Sequence, residues 1–145
     1  MGEGAALNCL GHLAYIEGQY EQARSYYEQA LALREQLGVP TCIAEDRAGL
    51  ARVDLAQGKI DRALAGVDEI LAILDRDPHL SGAVHPGRVF LACYQVLQAG
   101  QDPRSNDILA QARTLLQQRA AKIADPTLRR SFLEKIPEHQ QLLAS

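Results

Sequence analysis

The chain has 145 residues, 47% of them hydrophobic and 23% charged, with a net charge of −3. That composition suits one folded domain with a modest core and excludes a disordered tract. No run of Lys or Arg exceeds two residues, so a nucleic-acid or membrane-surface footprint is not supported. No apolar run approaches the roughly 20 residues that cross a bilayer.

Alanine and leucine dominate, aromatic residues make up 5%, and tryptophan is absent. This composition favours helix throughout. Cys9, Cys42 and Cys93 form no C-x-x-C pair, and their odd number argues against a disulfide framework. They read as small buried apolar residues of a protein in a reducing cytoplasm.

In chain order, the first predicted element is a helix carrying Leu7, Leu10, Gly11 and Tyr15, ended by Gly18. The second is a helix whose Ala23, Tyr27, Ala30 and Leu31 fall at i, i+4, i+7 and i+8, one apolar stripe at helical period. Glu21, Glu28 and Glu35 read as its solvated face, beside Arg24 and Arg34. After "LGVP" at Leu37 to Pro40 the pattern returns. Leu50, Ala51 and Leu55 precede Gly58, and Ala63, Val67, Ile70, Leu71 and Leu74 form the second stripe. The segment Arg76 to Gly87 reads as the longest loop, solvated and flexible, because it is rich in Gly, Pro and Ser. A third, weaker copy has Ala92, Cys93 and Leu97 before Gly100, then Ser105, Leu109, Ala112 and Leu116. The spacing is 40 residues from Gly18 to Gly58 and 42 from Gly58 to Gly100. Each of these glycines is expected to end a helix in the left-handed conformation.

Asp102-Pro103 and Asp125-Pro126 read as helix starts, with Asp as N-cap and Pro in the first turn. Leu128, Phe132 and Ile136 share a face of the helix after Pro126, and Pro137 opens a last turn or two bearing Leu142 and Leu143. The expected architecture is all-α: a solenoid of about three antiparallel helix-turn-helix repeats (about 4–38, 41–77 and 86–123) with C-terminal capping helices over 125–145, within a single domain 1–145.

A small residue, an aromatic four positions on and alanine three beyond that, after a helix with Leu and Gly, resembles the tetratricopeptide repeat. Leu7, Leu10, Gly11, Gly18, Tyr20, Ala23, Tyr27 and Ala30 carry the resemblance. The spacing resembles a long bacterial variety of the repeat. The tail resembles the C-terminal end of repeat regions in large bacterial signalling ATPases, transcriptional activators and cyclases. The resemblance therefore implies a non-catalytic protein–protein interaction module, and the last piece of a longer regulator.

The residues themselves offer little chemistry. There is no Gly-rich phosphate loop and no Cys/His cluster at zinc spacing, so no cofactor or metal is expected. His79 and His85 could share a metal, but read better as a solvated loop pair. Asp75 and Asp77 form no complete calcium loop. Cys42 and Arg47 lack the spacing of a catalytic cysteine loop.

In the repeat family the first helix of each pair lines a concave face. By register, the candidate groove residues are Asn8, His12, Tyr15, Glu45, Arg52, Leu55, Phe90, Tyr94 and Gln98. This polar and aromatic set suits a peptide or a partner helix; the bland alternative is ordinary exposed or inter-repeat positions. Arg52 reads as the one cation on that face, so capture of a terminal carboxylate is not expected. The partner would be a protein or peptide, or other domains of the same parent chain. A further alternative is a scaffolding module that self-associates through the apolar solenoid end around Leu7, Leu10 and Leu13.

Overall fold

The computed structural model describes residues 2–145; Met1, the first residue of the expected domain, lies outside the described residues. Among the described residues there are eight α-helices and no strand. They are α1 (Gly2–Ile16), α2 (Tyr20–Leu37), α3 (Pro40–Ala56), α4 (Ile60–Arg76), α5 (Pro86–Ala99), α6 (Arg104–Ala121), α7 (Pro126–Glu134) and α8 (Pro137–Ala144). The fold is an all-α helical solenoid.

Each helix packs on the next, and α3 also packs on both α1 and α5. The backbones of α2, α4 and α6 do not approach one another. The first helices of the pairs therefore form a tight inner row and the second helices a splayed outer row. That difference in spacing is what curves the stack and makes the inner row its concave side. On the outer row only long side chains bridge the gap, as where Arg104 reaches Asp68 of α4 at 2.9 Å.

The outer helices bury the stripes that their periodicity predicts: Ala23, Tyr27 and Ala30 on α2, and Ala63, Val67, Ile70 and Leu74 on α4. Tyr27 does more than fill a gap between two alanines. Its ring lies against the backbones of Gly11 on α1 and Gly49 on α3. A Cβ on Gly11 would sit 3.0 Å from three ring carbons, and one on Gly49 would collide with the ring outright. Arg24 and Arg34 depart from the expected solvated face. Both are buried and reach across to α3, Arg24 to Asp54 at 2.7 Å and Arg34 to Asp46 at 3.3 Å. They flank the apolar stripe, so packing α2 on α3 carries them inward with it.

The first two turns follow expectation. Gly18 (φ 79°) and Gly58 (φ 78°) are left-handed, a conformation glycine adopts without steric cost. The third turn does not: Gly100 has φ −82°, and Gln101 takes the left-handed place at φ 54°. The hydrogen bonds give the reason. Gln19 donates to Ala14, Lys59 to Asp54, and Asp102 to Leu97, so the third turn closes one residue late. Helix α6 accordingly becomes regular at Arg104, whose amide donates to the Asp102 carboxylate at 2.9 Å. Asp125 behaves as predicted, accepting from the amides of Thr127 and Leu128.

Residues 77–85 are tied down rather than free. Leu80 is fully buried in the core with φ 48°, and the Asp77 carboxylate accepts from the Ser81 amide at 2.8 Å. Helix α8 closes the end of the inner row, packing on α5 and α6 with Leu142 buried in the core.

Candidate functional site

The inner row brings α1, α3 and α5 side by side, with α8 as a wall at the far end. Of the expected groove residues, His12, Tyr15, Arg52, Leu55 and Tyr94 are half-buried and Gln98 is exposed. Helical geometry puts His12 and Tyr15 one turn apart on α1. Across the row, the Arg52 guanidinium sits 4.4 Å above the Tyr15 ring, and the tilted ring of Tyr20 lies 5.8 Å from the same tyrosine.

Three expected residues are not on the open face. Phe90 is only 1% exposed and belongs to the apolar core, because α5 is wrapped by α3, α4, α6 and α8 and has little free circumference. Asn8 is buried and donates to Asp46 at 2.7 Å. Glu45 is buried and holds the 77–85 loop, accepting from the Val84 amide at 2.6 Å while Arg34 lies 3.9 Å away. These two polar residues point between helices because each satisfies a buried partner there.

Two groove residues escaped the sequence reading. Arg88, at the start of α5, lines a small cavity together with Arg52, Asn8, Tyr27, Glu45 and His85. Its volume is about 10 Å³, at the lower limit for one water. Arg52 is thus not the only cation there. Glu138 reaches in from α8 and accepts from Arg88 at 3.1 Å. The signal was weak because these partners are 50 positions apart. Glu138 would otherwise have read as an ordinary acidic first-turn residue.

The electrostatics follow from this crowding. Burial, then Arg88 and Arg52, push the His12 pKa down to about 4, so its imidazole is neutral near pH 7. His12 Nδ1 is buried without a hydrogen-bond partner among the described residues, and so is Arg52 Nε. Burial and the Arg88 guanidinium likewise hold His85 below its ordinary range. Burial works against the Glu138 charge, yet its backbone hydrogen bond and Arg88 hold its carboxyl below the usual value. Asp46 is pushed up to about 6 by burial, against the pull of Asn8 and Arg34.

Burial pushes the Cys93 thiol up to about 12, far from a nucleophilic thiolate. No group of three or more His, Cys, Asp or Glu side chains could hold a metal among the described residues. His79 and His85 line different cavities: His79 opens onto a cleft beside α6, while His85 faces Arg52 and Arg88. No described helix is long and apolar enough to cross a membrane.

The sequence model of the tetratricopeptide repeat matches residues 3–76, which is α1 to α4. The chain belongs to the tetratricopeptide repeat family. The match takes in Gly11, Tyr27 and Gly49, the three residues that lock α1, α2 and α3 of this tetratricopeptide repeat protein together. No curated protein and no solved structure matches the chain. Tetratricopeptide repeats generally mediate protein–protein interaction, and the family is a non-catalytic interaction fold.

Proposed function

We propose that this tetratricopeptide repeat domain binds a peptide or protein segment along its inner helix row. We propose further that it serves as the C-terminal repeat segment of a larger cytoplasmic bacterial regulator, such as a signalling ATPase, a transcriptional activator or a cyclase. The observation that carries the groove reading is the row of half-exposed Tyr15, His12, Arg52, Leu55 and Tyr94 on three adjacent helices. Aromatic rings and a guanidinium on a rigid backbone are the side chains that dominate interface energetics. The regulator reading rests on the long repeat and on the tail over 125–145; the domain encoded immediately upstream in the gene tests it. For the groove, peptides selected by display against the whole chain are titrated against Tyr94→Ala and Arg52→Ala. At least one variant is expected to weaken binding about tenfold. Unchanged Kd in both removes the groove as the binding face.

A second reading is self-association through the end of the stack, and α1 supports it. Leu10, Leu13 and Ile16 are all exposed there, Leu13 at 54% and Ile16 at 64%. One repeat on, the position matching Leu13 is Val53, which α2 covers completely. A ring seated as Tyr27 is would not fit against α1 in the same way, because exposed Cys9 stands where Gly49 admits it. The occupant in this reading is the α1 face of a second copy. Light scattering is expected to give a mass that rises with concentration, and Leu13→Glu is expected to abolish the rise. A wild-type monomer at every concentration eliminates this reading.

A further inference from the structure

We propose that the groove prefers acidic segments and seats one Asp or Glu side-chain carboxylate on Arg52. This rests on the groove reading above and names the chemistry of its occupant.

The buried and half-buried arginines of α2, α3 and α5 are matched one by one, with a single exception. Arg24 has Asp54, Arg34 has Asp46 and Glu45, Arg47 has Glu69, and Arg88 has Glu138. Arg52 has none: among the described residues it makes no ion pair and donates no hydrogen bond. Its guanidinium instead stacks on the Tyr15 ring. Stacking occupies the face of the guanidinium and Nε is buried, which leaves the two terminal nitrogens, a pair that fits a carboxylate in two parallel hydrogen bonds.

The surroundings favour the same sign. Arg88 lines the small cavity beside Arg52, and burial, reinforced by the two arginines, keeps His12 neutral. A neutral His12 with an unpartnered ring nitrogen adds a hydrogen-bonding group without repelling either sign. The cavity itself holds one water at most, so the carboxylate binds above it, on the open side. Tyr15 lies beneath Arg52, Leu55 is one turn further along α3, and Tyr94 is half-buried on the adjacent α5, which gives apolar surface for the flanking residues of a peptide. A free small anion would have no use for that surface, which is why the occupant is an acidic peptide. Two carboxylates oppose it: Glu45, which lines the same cavity and is held by the Val84 amide, and Glu138. Glu138 reaches in from α8 to neutralise Arg88, so α8 holds part of the cationic surface in check.

Fluorescence anisotropy on the whole chain tests this with a labelled oligoglutamate peptide, and with oligoglutamine and oligolysine of equal length as controls. Oligoglutamate is expected to bind more tightly than either control, and more weakly as salt rises. Arg52→Gln is expected to weaken it about tenfold, and Arg52→Lys by less, since the charge stays and the fork is lost. Glu138→Gln is expected to tighten it several-fold by freeing Arg88, an effect that mere damage to the fold would not produce. Arg130→Gln, on the exposed surface of α7, is expected to change nothing. Circular dichroism melts confirm that each variant is folded. The proposal is overturned if oligoglutamate fails to bind, if oligoglutamine matches it, or if Arg52→Gln binds like wild type. Display-selected peptides that still depend on Tyr94 would then leave the groove reading standing without the acidic preference.

Discussion

Among α1, α2 and α3 the contact is built from a tyrosine ring, two glycines and buried ion pairs from Arg24 and Arg34. Between α4, α5 and α6 it is built from Val67, Ile70, Val89, Phe90, Val96 and Leu116, with no charge among them. The first surface is directional. Asn8, Arg34 and Asp46 meet in only one register, and the Tyr27 ring fits only where Gly49 stands opposite. The second is dry and shape-driven, and it has absorbed a late turn at Gln101 and the addition of α8 without losing its core. Ion pairs of the first kind add little net stability once desolvation is counted, but removing one partner is costly. The comparison suggests that the N-terminal interface sets alignment while the C-terminal one supplies most of the stability.

The largest expected effect lies in the dry half. Phe90→Ala should cost about 3–5 kcal/mol, since it empties a fully buried aromatic site with no polar group to relax into the space. A urea melt checks it; a loss below about 1 kcal/mol would mean that the C-terminal core is loosely packed. Gly49→Ala comes next, at about 1–3 kcal/mol, because the new methyl must displace the Tyr27 ring. Hydrogen exchange should place the loosening in α1 to α3 and leave α5 and α6 protected. Equal loss of protection in both halves would erase the distinction drawn here.

The smallest effect is a slope with pH. In the folded chain Asp46 keeps its proton up to about pH 6, while the unfolded carboxyl releases it near the ordinary 3.8. Between those values the folded state binds more protons, so this contribution to stability is full below the window and is lost as pH rises through it. Across that window the melting temperature of wild type should fall relative to that of Asp46→Asn, which has no carboxyl to titrate there. A wild-type decline that persists unchanged in the variant would assign the slope elsewhere.

The outer helices were legible in the sequence because each buries a single stripe, so Ala23, Tyr27 and Ala30, or Ala63, Val67 and Ile70, recur at helical spacing. The inner helices were harder to read. Helix α3 is touched by α1, α2, α4 and α5, so burial runs round most of its surface and charged residues such as Glu45, Asp46 and Asp54 enter the interior as paired groups. Phe90 was misplaced for the same reason: on α5 nearly every face is inward. Arg88 and Glu138 could not be paired in advance, because only the return of α8 onto α5 brings them together. The left-handed Gln101 was hidden by an adjacent glycine that looked better suited to the turn.

The seating of Tyr27 also constrains how this chain can vary over time. Gly11, Tyr27 and Gly49 sit on three different helices yet behave as one inherited character. A side chain at Gly49 becomes tolerable only in a background where position 27 is already small, and a smaller residue at 27 opens a void that only new side chains at 11 and 49 can fill. Every single step out of the present combination passes through a less stable protein. Viable change there should therefore come as linked substitutions, and the three positions should covary among relatives of this chain even though no two of them are neighbours in sequence.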